Sequence, residues 1–228
     1  MTAADTSDAF GSRRLYLCTP DRPDLEHFVE QCISGGVDVV QLRDKTLEAR
    51  QLLARAVALR QVCSSFGVPF ILNDRPDLAL ECGADGVHVG QDDAPPSLCR
   101  RILGSARIIG LSTHSTEELG AALSEPIDYF SAGPVVETPT KPGRKGTGLD
   151  YVRATADSVR AGSGRDAKHL LPWFVTGGVT PEAIPALWKA GARRFVVVRY
   201  LTESDDPERR ARQLRLAIER QEGDSTSG

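Results

Sequence analysis

The chain has 228 residues, 40% of them hydrophobic and 26% charged, enough to bury one sizeable core. A formal net charge of −3 gives no basic field for nucleic acid, so any anion binding has to be local. Five scattered cysteines with no CxxC pair signal neither a zinc site nor a disulfide framework, and no apolar run is long enough for a membrane span.

Residues 1–11 read as a disordered tail without the apolar centre of a signal peptide, so reduced thiols and a cytoplasmic location are expected. Short apolar runs then follow at Arg14–Cys18, Val37–Leu42, Pro69–Leu72 and Gly86–Val89. Four more lie at Arg107–Leu111, Tyr129–Ala132, Trp173–Thr176 and Arg194–Val198. Each is short enough for a buried strand. Helical patterns lie between them. In Leu47–Phe66, Leu52, Leu53, Ala56, Val57 and Leu59 recur near helical spacing. Gly83-Ala84 and Gly191-Ala192 stop helices just ahead of the next strand. Thr180 and Pro181 mark a helix start after the seventh run. The longest connection, Gly133–Gly148, is rich in Gly, Pro, Thr and Lys; a loop that long in a compact domain is usually functional, here as a lid over the ligands, or else a disordered, solvated segment. Residues 222–228 read as a second tail.

Strand–helix alternation implies parallel strands with right-handed crossovers. Eight such units fit a single (β/α)₈ TIM barrel spanning residues 12–221. The rival, a doubly wound open sheet, would be favoured by a GxGxxG turn after the first strand, and the chain has none there.

A barrel of this kind works at the C-terminal ends of its strands. In the second strand, side-chain alternation puts Val39, Gln41, Arg43 and Lys45 on one face. That face ends in an amide and two cations, which suits a polyanion such as pyrophosphate. The plain alternative is a wet strand end. Asn73-Asp74-Arg75 closes the third strand, and Gly90-Gln91-Asp92-Asp93 follows the fourth. Adjacent strands lie about 5 Å apart, so Asp74 and either Asp92 or Asp93 reach one cation. Mg²⁺ takes one or two carboxylates and completes its shell with phosphate and water. The same aspartates would also serve as caps for helices near Pro76 and Pro95. Ser112 and His114 follow the fifth strand; the histidine reads as a hydrogen-bonded rim residue or a general base. Thr138, Thr140 and Lys141 lie on the long loop, Gly177-Gly178 precedes a helix start, and Val198-Arg199 ends the last strand. Barrels often hold a phosphate after strands seven and eight, on a helix N-terminus. No nucleophile–base motif is visible, so the layout points to group transfer between two bound anionic substrates.

Gln41-Leu42-Arg43-Asp44-Lys45, Asn73-Asp74-Arg75, Gly86 through Asp93, Gly110-Leu111-Ser112, Thr138 through Lys141 and Gly177-Gly178-Val179 together resemble the thiamine phosphate synthase (thiamine-phosphate pyrophosphorylase) family. The resemblance runs in order over about residues 14–200. It implies a (β/α)₈ barrel that joins a hydroxymethylpyrimidine pyrophosphate to a thiazole phosphate. Pyrophosphate is released and thiamine phosphate formed. Carried over by match, Gln41, Arg43, Lys45 and Asn73 hold the pyrimidine pyrophosphate, joined by Ser112 and Lys141. Asp74 and Asp93 hold Mg²⁺. Thr138, Thr140, Gly178 and the backbone at Val198-Arg199 hold the thiazole phosphate. Arg43, Lys45 and Lys141 stabilise the departing charge of a dissociative reaction. Arg199 stands where a small Ser is frequent in the family. The implied partners are these small molecules, without nucleic acid or membrane; a homo-oligomer is left open. Two alternatives stand beside it: a thiazole tautomerase of the same barrel, kept alive by His114, and a non-catalytic barrel that senses thiamine intermediates.

Overall fold

The computed structural model describes residues 10–137, 145–162 and 171–226. The first half runs β1 (Leu15–Thr19), α1 (Leu25–Ser34), β2 (Val39–Leu42), α2 (Ala49–Ser65), β3 (Phe70–Asn73), α3 (Pro76–Glu81), β4 (Gly86–Val89) and α4 (Pro96–Leu103). The second runs β5 (Ile108–Thr113), α5 (Thr116–Ala122), β6 (Tyr129–Ala132), α6 (Gly148–Gly162), β7 (Trp173–Thr176), α7 (Ile184–Lys189), β8 (Phe195–Val197), α8 (Arg199–Thr202) and α9 (Pro207–Thr226). All eight strands are parallel and close into a barrel, β8 pairing back onto β1 through Tyr16 and Val196. This is the expected (β/α)₈ architecture, with each strand within two residues of its expected place.

The strands are buried on both faces, which is why they read as apolar runs. Outward residues such as Leu17, Val40, Leu72 and Phe130 join the helices in one continuous core. In α1, Leu25, Phe28, Val29 and Cys32 form the buried stripe. In α2, Leu52, Ala56, Leu59 and Cys63 do so, while Val57 stays exposed. All five cysteines are free and buried, and burial pushes the Cys32 and Cys63 thiols up to about 12. No helix among the described residues is long and apolar enough to cross a membrane.

Inside the barrel, the lower layer is Tyr16, Val39, Ile71, Ile108, Tyr129 and Phe174, closed from below by Phe10. Phe10 is fully buried, with its ring 4.8 Å from Tyr129 and 5.6 Å from Phe174. The expected tail over residues 1–11 therefore gives way before Phe10, whose aromatic area is removed from water. Sequence periodicity cannot show such a plug, because it belongs to no strand or helix. At the other terminus α9 continues to Thr226, and Glu222 pairs with Arg14 at 2.8 Å. The tail expected from residue 222 is thus helical over most of its length.

The strand entrances share a device. Asp38, Asp85 and Asp128 each stand immediately before an even-numbered strand. Each carboxylate accepts a backbone N–H from the preceding odd-numbered strand or its edge: Arg14 and Leu15 for Asp38, Phe70 for Asp85, Ile109 for Asp128. Each also meets an arginine from an outer helix: Arg215, Arg60 and Arg100 respectively. The fourth equivalent position, before β8, is Arg194. Its guanidinium donates to the Phe10 and Gly11 carbonyls and tethers the plug.

Candidate active site

A cavity of about 510 Å³ opens at the C-terminal ends of the strands. Gln41, Arg43 and Lys45 all line it, as the alternation in β2 requires. Asp44 points elsewhere and fixes the loop. One carboxylate oxygen accepts from the Thr46 N–H at 2.8 Å, the Thr46 hydroxyl at 2.6 Å and the Leu47 N–H at 3.1 Å. The other accepts from the Asp21 N–H at 3.2 Å, tying the loop after β2 to the one after β1. Burial alone would raise the Asp44 carboxyl; the bonds from Thr46, Asp21 and Leu47 together outweigh it and hold it below the ordinary value. Among the described residues, Arg43 has no ion-pair partner.

Lys45 Nζ lies 2.7 Å from Asp74 Oδ2 and 3.8 Å from Asp93 Oδ1. The two carboxylates thus share one cation. Asp74 has a φ of 63°, a left-handed conformation that few side chains other than Asn and Asp tolerate. Its N–H bonds to the His88 carbonyl at 2.8 Å, which locks the turn. Partial burial raises the Asp74 carboxyl and nearby Asp93 adds to this, while Lys45 opposes them. Neither aspartate caps a helix. The residues at the cap positions of α3 and α4 are Arg75 and Pro95, and neither helix has a side-chain cap bond. Asp93 instead accepts from the Gly90 N–H at 2.9 Å. The capping alternative is therefore removed for both. Asp92 also lines the cavity, but Asp93 is the one that shares Lys45. Among the described residues no cluster of three or more His, Cys, Asp or Glu side chains is arranged for a metal. Two carboxylates are what Mg²⁺ needs when phosphate and water complete its shell.

Asn73 and Ser112 also line this side, and the Gln91 side-chain amide holds the Ser112 carbonyl at 2.6 Å. Below them runs a buried polar chain. Cys18 Sγ donates to Gln41 Oε1 at 3.1 Å, and Gln41 Nε2 donates to the Tyr16 hydroxyl at 2.8 Å. The Tyr16 and Tyr129 hydroxyls are 2.9 Å apart. Tyr129 meets His88 Nδ1, and His88 Nε2 meets Ser112 Oγ, both at 2.9 Å.

Across the cavity, Gly177 and Gly178 take φ values of 94° and 72°. A Cβ on either would strike Pro134 or Val136 at 2.6 and 2.3 Å, so only glycine lets this turn pass the stem of the long loop. Val135 N–H bonds to the Thr176 carbonyl at 2.8 Å and holds that stem to β7. The helix expected at Pro181 begins at Ile184; a turn capped by Thr180 precedes it, with the Ala183 N–H 3.3 Å from Thr180 Oγ1. Gly177-Gly178 therefore does not abut a helix N-terminus, and an anion there would meet turn amides instead. Val198 and Arg199 line the cavity, and Arg199 opens α8. Thr138, Thr140 and Lys141 lie outside the described residues.

His114 lines the rim, its Nδ1 2.7 Å from Glu118 Oε2, which also accepts the His114 backbone N–H at 2.8 Å. Ser115 caps α5 by accepting the Glu118 N–H. The Ser-x-x-Glu spacing gives half of a capping box: Ser115 accepts the Glu118 N–H, while the Glu118 carboxylate takes the N–H of His114 and not that of Ser115. Sequence reading also left Tyr16, His88 and Tyr129 without roles. Each looks like an ordinary strand residue until the closed barrel brings the three together.

A (β/α)₈ barrel with cations and carboxylates gathered at its strand exits defines an enzyme of the class that works on small anionic substrates at that face. A family model described as thiamine monophosphate synthase matches residues 15–201. The chain belongs to that family, whose activity is a transferase step of thiamine biosynthesis. It is 44% identical to the thiamine-phosphate synthase of Mycobacterium bovis (strain BCG / Pasteur 1173P2) over 91% of this chain and 95% of that one. It is likewise 44% identical to the thiamine-phosphate synthase of Mycolicibacterium smegmatis, over 90% and 91%. Among solved structures it is similar to a thiamine phosphate pyrophosphorylase from Pyrococcus furiosus, with TM-score 0.80, 28% identity, and 91% and 96% of the two chains covered. A 3-hexulose-6-phosphate synthase, 19% identical with TM-score 0.65 over 90% and 99% of the two chains, shares the fold alone.

Proposed function

We propose that the protein joins hydroxymethylpyrimidine pyrophosphate to a thiazole phosphate with the help of Mg²⁺, giving thiamine phosphate and free pyrophosphate. One observation carries this reading beyond family membership: Lys45 converges on both Asp74 and Asp93 beside Arg43. That group suits a pyrophosphate with a divalent ion. Asp74 and Asp93 would hold Mg²⁺, which supplies charge neutralisation for the leaving pyrophosphate.

The chain's own residues do the remaining work. Gln41, Asn73 and Ser112 orient the pyrimidine. Arg43 and Lys45, joined by Lys141 from the long loop, hold the pyrophosphate as the methylene–oxygen bond breaks and the electron pair leaves with it. The aminopyrimidine ring supports the methylene cation until the thiazole nitrogen attacks and forms the carbon–nitrogen bond. That nitrogen carries no proton, so no general base is assigned. The thiazole phosphate is held across the cavity by Gly178, Thr138, Thr140 and the backbone at Val198-Arg199. Closing the cavity keeps water from the cation. The tautomerase alternative would leave the Lys45–Asp74–Asp93 group without a task.

The test is product formation from both substrates with and without EDTA. Thiamine phosphate forms with Mg²⁺, stops with chelator and returns when Mg²⁺ is restored. Absence of product with Mg²⁺ present would reject the synthase reading.

A further inference from the structure

Lys45 is held by the same two carboxylates that the synthase reading gives to Mg²⁺. Its Nζ lies 2.7 Å from Asp74 Oδ2 and 3.8 Å from Asp93 Oδ1. The carboxylates are the fixed partners. The Asp74 N–H is bonded to the His88 carbonyl, and Asp93 Oδ2 accepts the Gly90 N–H at 2.9 Å. Their side chains are only 19% and 25% exposed. Two such carboxylates repel each other unless a cation stands between them. Lys45 supplies that cation from within the chain.

Lys45 is the loosely held partner. Its side chain is 52% exposed, on a flexible stem that ends in rotatable donors. The backbone beneath it is not loose. The Arg43 N–H bonds to the Thr19 carbonyl at 2.8 Å, and Asp44 accepts the N–H groups of Thr46 and Leu47. The ammonium can therefore swing while its anchor stays in place, and an exposed ion pair of this kind costs little to break.

An ammonium and a divalent ion on one carboxylate oppose each other. Mg²⁺ binds its oxygens at about 2.1 Å, so an ion on Asp74 Oδ2 would lie within about 5 Å of Nζ. Like charges that close repel in a partly buried site. A pyrophosphate relieves the conflict, because its oxygens offer the ammonium a charge-assisted partner in place of the aspartates. Arg43, on the same face of β2, lines the cavity where that anion would lie.

We propose that Lys45 is an exchangeable counter-ion: it neutralises the Asp74–Asp93 pair until the substrate's pyrophosphate arrives, then transfers to that anion and leaves the pair to the divalent ion. Lys45 thus opposes binding of the metal alone and favours binding of the anion. Metal and pyrophosphate help each other to bind, and by linkage each raises the other's affinity by the same factor. The choice of ligands rests on the synthase reading; the binding tests need no turnover.

The signature is one substitution with opposite signs on two ligands. Mn²⁺ is the probe for the metal, with the unbound ion followed by EPR. Inorganic pyrophosphate in EDTA, followed by calorimetry, is the probe for the anion. Lys45→Met is expected to bind Mn²⁺ alone about three- to tenfold more tightly than the wild type, the scale of a broken exposed pair and a removed like charge. The same variant binds metal-free pyrophosphate about tenfold more weakly, as the loss of a charge-assisted hydrogen bond requires. Asp74→Asn in the Lys45→Met background abolishes the Mn²⁺ gain, which assigns it to this pair. Unchanged or weaker Mn²⁺ binding in Lys45→Met overturns the proposal, as does unchanged pyrophosphate binding or a gain that survives Asp74→Asn. A lysine that only steadies the loop would weaken both ligands together. If Lys45→Met does not fold, Lys45→Gln takes its place in every arm. A wild type without synthase activity rejects the functional reading, while the opposite signs still decide the exchange.

Discussion

The two ends of the barrel use the same residue types in opposite ways. At the strand entrances the carboxylates of Asp38, Asp85 and Asp128 are answered within the protein, each by a strand N–H and an outer-helix arginine. At the strand exits, Asp74 and Asp93 crowd one lysine, and Arg43 has no ion-pair partner among the described residues. Phe10 plugs the lower end; a cavity of about 510 Å³ opens the upper one. The chemistry lies not in having charges but in leaving some of them to be completed by a ligand. The left-handed Asp74, with a φ of 63°, belongs to the same end.

The sharpest way to break this contrast is to neutralise the exit carboxylates. Asp74→Asn or Asp93→Asn should lower kcat by about a hundredfold or more, the scale seen when a charge-stabilising group is removed. The thermal midpoint should hardly move. Steady-state kinetics and a melting curve on each variant decide it. Unchanged turnover in both would return the aspartates to a structural part.

Phe10→Ala should do the reverse. Emptying the plug is expected to cost about 3 kcal/mol of stability, because a buried ring is lost and the floor cannot collapse around it. For a domain of this size that lowers the midpoint by roughly 6–12 °C. Turnover measured well below the midpoint should stay near the wild-type value. A collapse of kcat in a folded Phe10→Ala protein would show that the lower layer reaches the chemistry, through Tyr16 or Tyr129.

Arg43→Ala divides the upper end itself. KM for the pyrimidine pyrophosphate should rise by roughly tenfold to a hundredfold, the range for a lost charge-assisted hydrogen bond. KM for the thiazole phosphate should change little. Equal effects on both substrates would mean that the two subsites are misassigned.

Much of this contrast was legible in the sequence, and the legible part has a common cause. Strand alternation put Gln41, Arg43 and Lys45 on one face, and the short apolar runs gave a barrel whose exits could be read in order. The aspartate pair could be proposed because β3 and β4 are neighbours. What stayed hidden depends on closure. Tyr16 and Tyr129 meet across the barrel from positions 113 residues apart, and nothing local marks either as polar in function. Phe10 sits outside every periodic element. Asp38, Asp85 and Asp128 recur before alternate strands, yet their partners are set by three-dimensional neighbours. The helix after β7 starts late because Thr180 caps a separate turn first.

The smallest expected effect asks whether the lower end is as well answered as it looks. Burial pushes the Asp38 carboxyl above its ordinary value, and the bonds from the Arg14 and Leu15 N–H groups and the Arg215 charge only partly offset it. The folded pKa therefore exceeds the unfolded one, and between the two the native state binds more protons. The site's contribution is full below the unfolded carboxylate range and declines as pH rises through the folded value. Asp38→Asn cannot titrate, so it isolates this slope. Urea melts of both proteins from about pH 4 to about pH 7 should show wild-type stability, relative to the variant, falling gently with rising pH. A rise instead would mean that the N–H bonds and Arg215 outweigh desolvation. The entrance carboxylates would then be net ion-pair stabilisers, and the two ends would differ even more than their geometry indicates.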